Sequence, residues 1–293
     1  MAGINIGDLL NEAHVTWGFF SGGFDLTVKN ANGTTGCKRS TTSAVTNVNK
    51  ADYIPHHQPF QYYPSTENPA HTRPLSLSEI GHAGAANHQY DIHDFFDTVN
   101  AGNFPAVSFL KAPGYQDGHA GYSDPLDEQT FVVHVLNFLQ RQPDWDNTVV
   151  VIAYDDSDGW YDHQMSPIVN QSRTAADALT APGSCGTGAA ALPGYGSVTP
   201  AQGRCAYGPR LPLLVISPWA RRNFVDHTIT DQTSIIRFVE DTWLHGERIG
   251  QGSFDGVANS IASMLDLTPS DPDPDRQLFL DESTGEPVPF PRR

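Results

Sequence analysis

The segment that most constrains this chain is Asn147–His163, NTVVVIAYDDSDGWYDH. Thr148, Val149, Val150, Val151, Ile152 and Ala153 form a short apolar run rich in β-branched residues. Such a run predicts a strand covered on both faces, as in the middle of a parallel sheet. It is too short for a helix, and it stops abruptly at an Asp-Asp pair and a glycine. Within a few residues the chain then carries four carboxylates, Asp155, Asp156, Asp158 and Asp162, and the imidazole of His163. Open α/β sheets place their ligand sites at the carboxyl ends of strands. Crowded carboxylates repel one another unless a cation or hydrogen-bond donors compensate them. One or more divalent metal ions are the economical compensation, since carboxylate oxygen and imidazole are their usual ligands. A plain polar turn competes with that reading, because Asp, Ser and Gly are ordinary turn formers. A calcium loop of the EF-hand kind fails on spacing. With Gly159 as its glycine, the first ligand would be Tyr154 and the twelfth Met165.

The remaining composition narrows the function. The 293 residues suffice for a sizeable core, and 26 Gly and 22 Pro require long loops. A formal charge of -16 argues against nucleic acid as a partner, which needs a basic footprint. It is compatible with a phosphate substrate where a metal supplies local positive charge. No apolar stretch approaches the roughly 20 residues of a transmembrane segment, and the start, MAGINIGDLL, lacks the basic and long apolar regions of a signal peptide. Cys37 stands alone, whereas Cys185 and Cys205 bracket a Gly/Ala/Pro-rich loop that a disulfide would staple. Three unrelated free thiols are the competing reading.

Read in order, the chain alternates strands and helices. Ile4–Asn11 is expected as a short helix and Val15–Phe20 as a strand, followed by a turn at Gly22 and Gly23. Residues 24–88 read as a long loop, and the aromatic content around His56, His57 and His71 favours an ordered one. Asp91–Asn100 reads as a helix and Pro105–Leu110 as a strand leading into a loop that carries His119. Ser123 or Asp124 can cap the next helix, with Pro125 in its first turn and Phe131, Val132, Val135, Leu136 and Leu139 as its apolar stripe. His134, on or beside that stripe, reads as structural. Residues 166–209 form a second long loop, Leu211–Ser217 a buried strand, Asp231–Leu244 a helix and Ser260–Leu265 a last short helix. This order predicts an α/β layered fold with a largely parallel sheet.

Several segments together carry a family resemblance: IGDLL…VTWGFFSGGFD, DYIPHHQPFQYY, the His119 loop, VVVIAYDDSDGWYDH, GPRLPLLVISPWAR and DQTSIIRFVEDTW. From about Ile6 to Leu267 the chain resembles bacterial phosphoesterases of the phospholipase C and acid phosphatase type, within the alkaline-phosphatase-like superfamily. The resemblance implies a three-layer fold, a mostly parallel central sheet with helices on both faces and long loops. It implies one domain over 1–293, with 24–88 and 166–209 as loop insertions. It also implies metal-assisted hydrolysis of phosphate esters, either phospholipid phosphodiesters or phosphomonoesters, through a covalent phosphoenzyme. Asp155 and Asp156 match the paired metal ligands. His119, and His56 or His57, match histidines that reach the phosphoryl group, and His163 is a candidate to orient the loop or contact phosphate. Asp158 and Asp162 match no family role, and a turn or supporting role is expected for them. The family is mostly exported, so a secreted or periplasmic location is implied.

The family pattern also includes a Glu-Asn segment, as in E-N-R-S-F-D-H, that adds metal ligands, and a Ser or Thr nucleophile ahead of the IGDLL region. Neither motif occurs in this sequence: Glu12 precedes Ala13, and Glu67-Asn68 leads into Pro69. The expectation is a chain that corresponds to the later part of the family architecture, truncated at its N-terminal side, with a separate N-terminal segment as a possible partner. The 293 residues alone are then expected to be impaired, with no appreciable phosphoesterase activity. A non-catalytic fragment that keeps the fold and binds a metal or a partner is the opposing expectation.

Overall fold

The computed structural model describes residues 1–167, 207–268 and 277–289. In chain order its elements are α1 (Ile6–Glu12), β1 (Trp17–Ser21), β2 (Ser40–Thr42), β3 (Asn49–Ala51), β4 (Gln89–Asp91), α2 (Ile92–Asn100), β5 (Val107–Lys111), α3 (Pro125–Leu139), β6 (Val150–Ala153), β7 (Leu213–Ile216) and α4 (Thr233–Trp243), with short 3-10 turns between them. They fall into two units, Met1–Thr148 with Pro272–Arg293, and Val149–Asp271.

In the first unit β1 is central to a three-stranded parallel sheet of order β4-β1-β5. All five residues of β1 are buried, as expected for a strand covered on both faces. Trp17 stacks on the buried His88 ring at 4.4 Å, and Phe20 packs between Tyr90 and Phe95. Burial pushes the His88 imidazole below its ordinary pKa, so it sits in the core as a neutral ring whose Nδ1 is 2.9 Å from the Trp17 carbonyl. Each helix starts where its sequence provides a cap. Asn5 and Asp8 form a capping box on α1, Asp91 and Asp94 one on α2, and Asp124 with Pro125 opens α3.

Residues 24–88 hold more structure than the loop expected of them. They contain the β2–β3 hairpin and several 3-10 turns, and β4 follows them directly. A buried ionic cluster ties this excursion to the end of the sheet. Arg39 bridges Asp52 and Asp91 at 3.0 and 3.1 Å, and Arg73 pairs with Asp25 and Asp94. His93 lies 3.0 Å from Asp91, and that hydrogen bond holds its imidazole above the ordinary pKa.

The α3 stripe differs from the expected one: Val133, Val135 and Leu139 are buried, while Phe131, Val132 and Leu136 are only half-buried. His134 points outward, to Glu282 at 2.9 Å. The tail lies along the same helix, where the side-chain amides of Asn137 and Gln140 bond the backbone of Leu278 and Leu280. Phe279 is buried there under the Arg141 guanidinium.

In the second unit β6 pairs with β7, and the pairing is antiparallel. This corrects the expectation of a fully covered strand inside a parallel sheet. The β6 residues are half-buried or exposed, and β7 is its one strand partner among the described residues. A continuous apolar run reads alike for either strand direction, because direction is set by the pairing partner. Helix α4 buries Val239 and leaves Ile235, Ile236 and Trp243 half-buried. The last expected helix is a single 3-10 turn, Ala262–Met264. Among the described residues no helix is long and apolar enough to cross a membrane.

Candidate active site

The two histidine segments of the first unit meet at a residue that sequence reasoning passed over, Asp117. From β3 the chain runs through Asp52, fixed by Arg39, into a 3-10 turn over Pro55–His57. From β5 it runs through a second turn, Gly114–Gln116, into Asp117 and His119. The Gly114 amide donates to the Asp52 carbonyl at 2.8 Å, which pins one turn to the approach of the other. Only glycine permits this. A Cβ there would lie 2.8 Å from the Ala51 carbonyl oxygen.

Asp117 has a side chain just 1% exposed, and its Oδ2 lies 3.3 Å from His57 Nδ1. Its Oδ1 accepts from the His119 backbone N–H at 3.1 Å, and its Oδ2 accepts from the Tyr122 hydroxyl at 3.2 Å. The Tyr122 ring stacks on His119 at 4.2 Å. His56 is exposed and packs edge-on against His57 at 4.5 Å. The loop closes through Ser123, whose Oγ accepts from Gly118 and donates to the Tyr115 carbonyl. Burial, together with the nearby Asp52 and Asp127 carboxylates, pushes the Tyr115 phenol up to about 12, so that hydroxyl stays protonated.

In the second unit β6 ends at Ala153, and Asp155 and Asp156 follow at its carboxyl end, both exposed. Asp156 Oδ1 accepts from the Asp158 amide at 2.5 Å, and Asp158 and Gly159 take left-handed conformations at φ 50° and 78°. This is an Asx turn, so the turn-forming chemistry of the segment is realised locally. The Gln232 side chain, just ahead of α4, donates to the carbonyls of Tyr154 and Asp155. Asp162 pairs with Arg210 of the GPRLP segment through two side-chain contacts, at 2.8 and 2.9 Å, and accepts from the Arg210 amide at 3.0 Å. The Arg210 guanidinium holds the Asp162 carboxyl well below the usual carboxylate range. Asp162 thus takes a supporting role, joining two motif segments. His163 is exposed beside it.

Among the described residues no three or more His, Cys, Asp or Glu side chains converge as a metal cluster. Asp155 and Asp156 offer the hard oxygen donors that suit a divalent cation, in kind but not in number. Cys37 is an exposed free thiol, while Cys185 and Cys205 lie outside the described residues.

A sheet unit that gathers two histidine segments at β-strand exits, and a second unit with paired carboxylates at a strand end, agree with phosphoester chemistry. Residues 1–244 match the Phosphoesterase family, and the chain belongs to that family. It is 32% identical over 148 residues to the non-hemolytic phospholipase C of Pseudomonas aeruginosa, which covers 48% of this chain and 20% of that protein. Against the non-hemolytic phospholipase C of Burkholderia pseudomallei the identity is 34% over 143 residues, covering 48% and 19%. Against phospholipase C A of Mycobacterium tuberculosis it is 27% over 146 residues, covering 50% and 26%. The chain therefore spans about a fifth to a quarter of the length of these curated relatives. Asp117 and Arg210 are the site residues that sequence reasoning missed. The signal for Asp117 was weak, one Asp two residues before a histidine in a Gly-rich loop.

Proposed function

We propose that the chain carries the phosphoryl-binding machinery of a metal-dependent phosphoesterase acting on phosphate esters, phospholipids among them, in an alkaline-phosphatase-like layered fold. The observation that carries this reading is the meeting of the His56–His57 and His119 segments at Asp117, 60 residues apart in a family-matched chain. His57 and His119 bind phosphoryl oxygens and handle the proton of the leaving alcohol. His163 adds a further imidazole beside the carboxylate loop. Asp155 and Asp156 hold a divalent cation, which when bound would draw charge from a phosphoryl oxygen.

Two carboxylates fill only part of the roughly six to eight oxygen positions a calcium-sized cation takes, so affinity is weak. Turnover by these 293 residues then stays near the uncatalysed background, because nucleophile and metal shell act as a unit. The sparse donor set among the described residues is also what favours the second reading, a non-catalytic chain that binds a metal or a partner. Titrating Mn²⁺ alone into the full chain and into an Asp155→Asn/Asp156→Asn double variant tests the metal assignment. Weak, saturable binding that the double variant loses is expected, and equal binding by both proteins would remove Asp155 and Asp156 from the assignment.

A further inference from the structure

We infer that Asp117 is a positioning residue whose loop sets His57 and His119 in opposite tautomers, one imidazole as proton acceptor and the other as donor. This rests on the phosphoryl role proposed for the two histidines. At His119 the assignment follows from a backbone bond. The Gly121 amide donates to His119 Nδ1 at 3.0 Å, so Nδ1 holds the lone pair and the proton of the neutral ring sits on Nε2. At His57 the neighbour is a carboxylate instead. Asp117 Oδ2 lies 3.3 Å from Nδ1, and the two side chains are 1% and 8% exposed. An ionised carboxylate only accepts, so it favours the tautomer with a proton on Nδ1 and the lone pair on Nε2.

The His57–Asp117 contact is within ion-pair distance but is not aligned as a hydrogen bond, and His57 Nδ1 has no other partner. A contact of this length tightens when a ligand binds. The same carboxylate holds the His119 backbone and the Tyr122 hydroxyl, so a small shift of Asp117 is shared by both histidines. The division of labour is then fixed by geometry. His119 Nε2–H donates to a phosphoryl oxygen, while His57 Nε2 accepts from a protonated oxygen of the ligand, its Nδ1–H held by Asp117.

The test is the two-bond ¹H–¹⁵N correlation spectrum of the full chain labelled with ¹⁵N-histidine, at a pH where the imidazoles are neutral. His57→Gln and His119→Gln assign the signals. The expected result is an Nδ1–H pattern for His57 and an Nε2–H pattern for His119. In Asp117→Asn the His57 pattern should move to predominantly Nε2–H, whereas Tyr122→Phe should leave His57 unchanged. The same tautomer at both histidines of the wild-type chain would overturn the inference, even if Asp117→Asn fails to fold. So would an unchanged His57 pattern in folded Asp117→Asn. Inorganic phosphate separates this from the functional reading. Opposite tautomers with no phosphate response at either ring would uphold the role of Asp117 and overturn the phosphoryl assignment.

Discussion

At Arg39 a single guanidinium compensates two buried carboxylates, and those carboxylates anchor the approach to the histidine turn. Its Nε meets Asp52 and its Nη2 meets Asp91, with Nη1 donating to the Asp25 carbonyl at 3.1 Å. Asp91 is at once the end of β4 and the cap of α2. Although burial raises the Asp91 pKa, the His93 hydrogen bond, the Asp25 amide and Arg39 together hold it below its ordinary value. Removing one partner of a buried pair leaves an uncompensated charge, which costs about 3–5 kcal/mol. Arg39→Met should therefore lower the unfolding free energy by an amount in that range, read as a fall in the urea midpoint at unchanged slope. A midpoint unchanged within error would show that water, not Arg39, compensates the carboxylates. The contrast with Asp162 and Arg210 is instructive. There the guanidinium is solvent-exposed, so the pair aligns two segments but adds little to stability.

Helix α4 carries a pH response that the element imposes on its unit. Glu240 has a fully buried side chain, accepts from the Ile249 amide and pairs with Arg248 at 3.1 Å. Asp255 accepts from the same Ile249 amide. Burial, reinforced by the Asp255 carboxylate, pushes the Glu240 carboxyl up from 4.5 to about 8. A pKa raised on folding means that the native state binds the extra proton. The stabilisation is complete below pH 4.5 and is lost as pH rises toward 8. Thermal melts across that window should show stability falling with pH, and Glu240→Gln should flatten the slope. An identical slope in the variant would assign the proton elsewhere. Elements of this kind were legible to different degrees. The four described α-helices were visible from apolar residues at helical spacing, and α3 also from its cap at Asp124-Pro125, whereas α4 starts without a side-chain cap. The three-residue β4 was not, since QYD has no strand signature and becomes a strand only by pairing with β1. The antiparallel partner of β6 lies 60 residues further on, beyond any local pattern. The place of Asp155 and Asp156 at a strand end was legible because the apolar run stops just before them. Asp117 was not, because its importance arises from contacts that only the folded loop creates.

For the molecule as a whole, family membership over residues 1–244 and the convergence at Asp117 support the proposal of a phosphoryl-binding role for His57 and His119. Binding is the property to measure, because it does not require a nucleophile or rapid turnover. A net charge of -16 makes non-specific capture of an anion unfavourable, so retained phosphate reports a specific site. Truncating either imidazole, the donor His119 or the acceptor His57, removes a hydrogen bond to a charged group worth about 1.5–3 kcal/mol, roughly a tenfold or greater loss of affinity. The direct measurement is calorimetric titration of inorganic phosphate into the full chain, with a divalent cation present, for the wild type, His57→Gln and His119→Gln. Saturable binding by the wild type, weakened about tenfold or more in each variant, is the expected result. No saturable binding by the wild type, or equal affinity in all three proteins, would contradict the account.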